Sequence, residues 1–178
     1  MVMEYVEGGA VVTEEALMSG QFKGTTEEIA RNHFRDLIKG LDYLHFHNVI
    51  HRDIKPENLL LTEEGRVKLS DFGSACRIAG DNDTMSDTCG TRTFFAPEMC
   101  RGIDYSGKKA DIYAAGVVLY VLLFHKLPFA DEPPERLYEQ IINEEPDYSG
   151  EPHISADAIV LIPTQISPSS HAFLSRIS

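Results

Sequence analysis

The chain of 178 residues has no tryptophan and only three cysteines. The odd cysteine count, without a CxxC pair, argues against a disulfide framework and a zinc knuckle, and it favours a reducing, cytoplasmic compartment. Cations are also scarce: 16 Lys and Arg against 28 Asp and Glu give a net charge of −12, so nucleic acid is not an expected partner. The longest apolar run, Ala114 to Phe124, is too short to span a bilayer, and the first residues do not resemble a signal peptide. No membrane partner is expected.

What is present is an ordinary globular composition, 43% hydrophobic and 25% charged, which predicts a folded domain. Residues 1–6 form a short, apolar-rich segment, which is predicted to be a strand that ends at Gly8-Gly9. Apolar residues then recur at three- and four-residue steps, which predicts an amphipathic helix over 26–45. Thr25 and Glu28 have the spacing of a capping box at its start.

The rest of the chain alternates short apolar segments with polar loops. The predicted elements are a hairpin of 59–61 and 67–69, a long loop over 73–93, a helix buried on every side over 109–124 and a peripheral helix over 135–143. Beyond Pro152, prolines and a Ser-rich stretch predict irregular structure.

Three separated blocks carry the functional signal: HRDIKPEN at 51–58, DFG at 71–73 and APE at 96–98. Their order and spacing resemble the catalytic loop, the magnesium-binding motif and the end of the activation segment of protein kinases. Lys55 resembles the serine/threonine pattern, because tyrosine kinases typically carry Ala and Arg in this loop. By this resemblance the chain is identified as a member of the eukaryotic-type serine/threonine protein kinases.

The resemblance implies a role for each polar residue of the first two blocks, with ATP and Mg²⁺ as cofactors. Asp53 would accept the proton of the attacking hydroxyl, and Lys55 would stabilise charge on the transferring phosphate. Asn58 would bind one Mg²⁺, and Asp71 would bind both. Taken alone, Asp53 or Asp71 would more readily be interpreted as a loop-capping carboxylate.

The resemblance also implies a nucleotide site and a buried anchor. The carbonyl of Glu4 and the amide of Val6 would bind the adenine edge, with Leu60 packed beneath it, although Leu60 could equally be a core residue. Asp111, near the start of the predicted buried helix, would hold the backbone of the catalytic loop. Ordinary helix capping is the alternative for Asp111.

The segment between the DFG and APE blocks suggests regulation. Kinases with an Arg before the catalytic Asp often need a phosphate that pairs with it, and Arg52 holds that place here. The usual phosphorylated position, three residues before Gly90, is Asp87, which could pair with Arg52 permanently or could be a solvated loop residue. Thr84, Ser86 and Thr88 are candidate phosphosites. An upstream kinase or a calmodulin-type regulator is an implied partner.

The sequence features that indicate the subfamily and the substrate are less specific than the three blocks. Residues 7–12 (EGGAVV) and 143–146 (NEEP) are most similar to calcium/calmodulin-dependent kinase kinases. Ala10 and Val121 occupy positions where arginine-directed kinases carry acidic residues, so a preference for arginine is not supported. Arg92 stands where the family usually has proline, which would alter the platform that receives the substrate.

The implied fold is α+β and mainly helical, a kinase-like C-lobe with a small β-hairpin at the catalytic cleft and with the N-lobe absent. Residues 1–158 would form a partial kinase domain, the hinge and C-lobe without the final helices, and 159–178 an irregular tail outside the family. The expected function is transfer of the ATP γ-phosphate to a Ser or Thr hydroxyl of a protein substrate. The alternative is a catalytically inactive kinase fragment that acts as a protein-interaction or regulatory module.

Overall fold

The computed structural model describes residues 4–22, 25–80, 82–130, 133–149 and 154–155. Its helices are α1 (Glu14–Met18), α2 (Glu27–Phe46), α3 (Pro97–Cys100), α4 (Gly107–Phe124) and α5 (Pro134–Asn143). Its strands are β1 (Val49–Ile50), β2 (Leu59–Leu61), β3 (Val67–Leu69), β4 (Cys76–Arg77), β5 (Thr84–Met85) and β6 (Tyr105–Ser106). They form three antiparallel pairs, β1 with β4, β2 with β3, and β5 with β6. The structure is therefore mainly helical with small sheets, as the sequence predicts.

The core lies between α2 and α4. Helix α2 buries one stripe of residues, whereas most of α4 is buried on every side. Both helices were predicted from the apolar pattern, and both are confirmed to within two residues at each end. The cap of α2 is one residue later than predicted: Thr26, not Thr25, accepts a hydrogen bond from the Ile29 amide at 3.3 Å.

The predicted hairpin is confirmed, with Leu59 opposite Leu69. A further segment lies along β2, because the Gly8 amide donates to the Leu61 carbonyl and the Val11 amide to the Leu59 carbonyl. A Cβ on Gly8 would lie 2.2 Å from the Leu61 carbonyl oxygen, so this approach requires glycine. The predicted strand over 1–6 is wrong in its described part: residues 4–6 are irregular, and the ladder contacts begin only at Gly8.

The predicted loop over 73–93 is mostly irregular, but two strand pairs that the sequence did not indicate hold it in place. Strand β4 pairs with β1, and β5 pairs with β6. Each strand has only two residues, too few to show an alternating pattern. Within the described ranges, no helix is both long enough and apolar enough to cross a membrane.

The α2–α4 core gives a stability prediction. Leu41 is 0% exposed, whereas Phe46 on the same helix is 83% exposed. We expect Leu41→Ala to lower the free energy of unfolding by about 2–5 kcal/mol, since it removes buried methyl groups and leaves a cavity. Phe46→Ala deletes a larger side chain but should change that free energy by less than about 0.5 kcal/mol. Urea unfolding of the two variants checks this, and equal losses would contradict the packing described.

Candidate active site

A buried carboxylate on α4 fixes the backbone of the loop that follows β1. Asp111 is 2% exposed, and its two oxygens accept hydrogen bonds from the amides of His51 and Arg52, each at 2.9 Å. His45 on α2 donates from Nε2 to the same carboxylate at 2.9 Å. Ser106 caps α4, so the capping alternative for Asp111 is wrong and its predicted hold on the loop is confirmed.

The backbone is strained at two of the predicted site residues. Arg52 has φ 71° and Asp71 has φ 57°, in the left-handed region that residues with a Cβ rarely occupy. Such conformations persist only where surrounding contacts impose them, and they cluster at functional sites. The hydrogen bonds that the amides of His51 and Arg52 donate to Asp111 supply that constraint at Arg52.

Asp53 lies at the centre of a polar cluster. Lys55 Nζ lies 3.0 Å from its Oδ2, and Thr91 donates to its Oδ1 from both the amide and the hydroxyl, at 3.1 and 2.9 Å. Burial pushes the pKa of Asp53 up, but the hydrogen bonds from Lys55, Thr91 and Asn58 outweigh it and hold the pKa below its usual range. The carboxylate is therefore ionised near neutral pH and oriented by its donors.

Sequence reasoning missed Thr91. Besides its two bonds to Asp53, its hydroxyl accepts a hydrogen bond from Lys55 Nζ at 2.9 Å, so it joins both residues. Gly90 makes this approach possible: its φ is 105°, and a Cβ there would lie 2.4 Å from the Arg52 carbonyl oxygen. The Gly-Thr pair just before the APE block was the only available signal.

Hydrogen bonds also join the 51–58 block to the 71–73 block. The Asn58 carbonyl accepts from the amide and hydroxyl of Ser70, at 2.8 and 3.0 Å, and Ser70 immediately precedes Asp71. His51 donates from Nε2 to the Ser70 carbonyl at 3.0 Å and accepts from the Asp53 amide through Nδ1 at 3.3 Å. Because one nitrogen donates and the other accepts, this geometry corresponds to a neutral imidazole.

Asn58 and Asp71 provide oxygen atoms suited to a hard cation. Asn58 Nδ2 donates to the carbonyl and Oδ2 of Asp53, at 2.8 and 3.2 Å, which leaves its Oδ1 for a ligand. Asp71 is exposed, and its Oδ1 accepts from the Gly73 amide at 3.1 Å. An amide oxygen and a carboxylate fit Mg²⁺, which usually takes one or two protein ligands together with water and phosphate oxygens.

The predicted adenine contacts lie at the edge of the hairpin. Glu4 is exposed and Val6 is half-buried, and within the described ranges no hydrogen bond engages the Glu4 carbonyl or the Val6 amide. The Glu4 carboxylate pairs with Lys68 on β3. Ala10 is bridged to Leu60, which places Leu60 beside this segment and directly after the 51–58 block.

Arg52 and Asp87 form an ion pair. The hydrogen bond from Arg52 is the largest cause that holds the pKa of Asp87 below its usual range. Tyr105 adds a second contact, since its hydroxyl donates to the Asp87 carbonyl at 2.7 Å. The candidate phosphosites Thr84, Ser86 and Thr88 are all exposed.

Comparison with known proteins agrees with this arrangement. The protein kinase domain family model matches residues 1–177. A probable serine/threonine-protein kinase of Dictyostelium discoideum is 44% identical over 155 residues, which cover 85% of this chain and 21% of that protein. Serine/threonine-protein kinase GRIK1 of Arabidopsis thaliana is 43% identical over 143 residues, 80% of this chain and 35% of that protein. CBL-interacting protein kinase 16 of Oryza sativa subsp. japonica is 42% identical over 164 residues, 91% of this chain and 34% of that protein.

The chain thus spans between 21% and 35% of the length of these relatives. The predicted boundary at residue 158 is not tested by the family match and stays a prediction.

Removing the buried carboxylate should loosen the site. We expect Asp111→Ala to lower the free energy of unfolding by roughly 2–5 kcal/mol, because the amides of His51 and Arg52 lose their acceptor in a buried position. Amide hydrogen exchange at these two residues should accelerate. The matched control is Asp42→Ala, an exposed aspartate of α2 that should change both readouts little. Equal effects of the two variants would contradict the anchoring role.

Proposed function

The chain belongs to the protein kinase family, with serine/threonine kinases as its relatives, and we propose that it transfers the γ-phosphate of ATP to a Ser or Thr hydroxyl of a protein substrate. The observation that carries this proposal is the Asp53 cluster: an ionised carboxylate held by Lys55 and Thr91 and hydrogen-bonded to Asn58. Phosphoryl transfer depends mainly on positioning and charge stabilisation, which a cluster of this kind supplies.

Each residue has a distinct task in this proposal. Asp53 orients the substrate hydroxyl and takes up its proton as the bond to phosphorus forms. Lys55 faces the developing negative charge of the transferring group. The Thr91 hydroxyl contacts both Lys55 and Asp53 and so fixes their relative positions. The hydrogen bonds that hold Asp53 ionised support this assignment, because only the deprotonated carboxylate can accept a proton.

The nucleotide would lie between the hairpin and the 71–73 block. When bound, Mg²⁺ neutralises phosphate charge, and Asn58 Oδ1 with the Asp71 carboxylate would hold it. The carbonyl of Glu4 and the amide of Val6 would bind the adenine edge over Leu60. The hydrogen bonds that Ser70 donates to the Asn58 carbonyl and accepts from His51 support a fixed spacing between the 51–58 block and the 71–73 block.

Regulation is proposed to rely on a built-in negative charge. The Arg52–Asp87 pair occupies the place where a phosphate on this segment would pair, so the segment would be ordered without phosphorylation at that position. Thr84, Ser86 and Thr88 remain proposed sites for an upstream kinase. A calmodulin-type regulator and a relationship to calcium/calmodulin-dependent kinase kinases are also proposals, supported by residues 7–12 and 143–146.

A pair of substitutions tests the catalytic assignment in the longest form that the gene encodes. We expect Asp53→Asn to lower kcat by about 10²–10⁴-fold with little change in ATP affinity, because the amide cannot take up the hydroxyl proton. Asp71→Ala should weaken magnesium-dependent ATP binding as well, because it removes a metal ligand. Steady-state kinetics with calorimetric titration of Mg-ATP separate the two effects. Near wild-type activity in both variants would refute the kinase assignment.

The built-in charge gives a second test. We expect Asp87→Ala to lower kcat/KM by up to about fivefold, the effect of an exposed ion pair worth at most about 1 kcal/mol. The loss should shrink as ionic strength rises, since salt screens exposed pairs. Asp104→Ala, which also removes an exposed carboxylate but lies outside this segment, serves as the control. The lowered pKa of Asp87 keeps its carboxylate charged near neutral pH, so the ion pair with Arg52 is intact there. The pair is lost only as the pH falls through the pKa of Asp87. Unchanged activity of Asp87→Ala would show that Asp87 is a solvated loop residue.

A further inference from the structure

Arg92 is an exposed cation immediately beside the Asp53 cluster. Its neighbour Thr91 donates twice to the Asp53 carboxylate, and consecutive Cα atoms lie only about 3.8 Å apart. Within the part of the chain that the structure describes, the Arg92 guanidinium makes no hydrogen bond and no ion pair. Its positive charge is therefore available to an external partner, one residue along the chain from the Thr91 that binds Asp53.

The backbone of Arg92 is held on both sides, although its side chain is not. On the N-terminal side, Thr91 is bound to Asp53. On the C-terminal side, the Arg92 carbonyl accepts from the Phe95 amide at 3.1 Å in a single 3₁₀ turn, Arg92–Phe94, which leads into the buried residues Phe94 and Phe95. A free guanidinium on a fixed backbone can select a partner without reordering the loop.

The other cations of the site are already paired. Lys55 contacts Asp53 and Thr91, and Arg52 contacts Asp87. The two positions at which arginine-directed kinases carry acidic residues have none here: Ala10 is uncharged, and Val121 is uncharged and fully buried in α4. Arg92 adds an exposed positive charge next to Thr91 in a chain whose net charge is −12.

We propose that Arg92 determines substrate specificity by binding an acidic side chain of the protein substrate close to the Ser or Thr that receives the phosphate. This inference rests on the proposed function and names the class of substrate for it: hydroxyls flanked by carboxylates. A guanidinium binds a carboxylate through two parallel hydrogen bonds, which neither the proline typical of the family nor a lysine can form.

Peptides of one parent sequence test this proposal. Each peptide carries a single Ser. The peptides are compared in pairs, one with Asp and one with Asn at the same position within three residues of that Ser, so that the two members differ only in charge. For the wild type we expect at least one position at which Asp raises kcat/KM over Asn by roughly three- to tenfold. Arg92→Gln should bring that ratio to about one, and Arg92→Glu should bring it below one. Added salt should reduce the wild-type ratio.

A matched variant and a binding measurement make the outcome decisive. Arg101→Gln removes another exposed positive charge, at the end of α3, and should leave the Asp/Asn ratio unchanged. The same peptides with Ala in place of Ser, followed by fluorescence anisotropy, report recognition without any transfer of phosphate.

The two measurements distinguish the two proposals. Acid-selective binding that is lost in Arg92→Gln, without phosphorylation of any peptide, would overturn the proposed activity and leave the Arg92 inference standing. Phosphorylation whose Asp/Asn ratio is the same in wild type and Arg92→Gln would overturn the inference and leave the activity standing. Absence of any Arg92-dependent preference for acid in either measurement also overturns the inference.

Discussion

The structure depends most on one buried charge, the carboxylate of Asp111. Placing an ionised group among the apolar residues of α4 carries a large desolvation cost, which is offset only when donors surround it. Here the donors are the amides of His51 and Arg52 and the ring of His45. A group that requires these donors also fixes their positions, so the core of the protein determines the path of the loop that carries Asp53.

From that anchor a network of hydrogen bonds continues through the 51–58 block to Ser70 and Thr91. His51 reaches the Ser70 carbonyl, Ser70 binds Asn58, and Asn58 and Thr91 both bind Asp53. The strands in this region are only two or three residues long, so few ladder bonds hold them. Polar contacts between segments far apart in sequence therefore do most of the positioning, and each of them strengthens the constraint on its neighbours.

Charge is distributed unevenly over this framework. The chain is strongly acidic, yet several of its cations lie around the Asp53 cluster. Within the described residues Arg52 and Lys55 are paired with aspartates, whereas Arg92 is exposed at a fixed turn. The cations around Asp53 therefore differ in pairing and exposure, and an exposed cation without a partner in the fold is open to an external one.

The sequence by itself determined the elements whose signal is local. The three-to-four-residue spacing predicted α2, the unbroken apolar run predicted α4, and the glycine-containing turn predicted the hairpin, since each pattern reflects neighbours on one helix or strand pair. The 51–58, 71–73 and 96–98 blocks likewise indicated the family and the site residues.

Only the tertiary structure decided the remaining features. Thr26, and not the predicted Thr25, caps α2. Strands β4 and β5 exist only through partners far along the chain. Thr91 became a site residue because folding places it against Asp53, across a separation of 38 residues that no local pattern records.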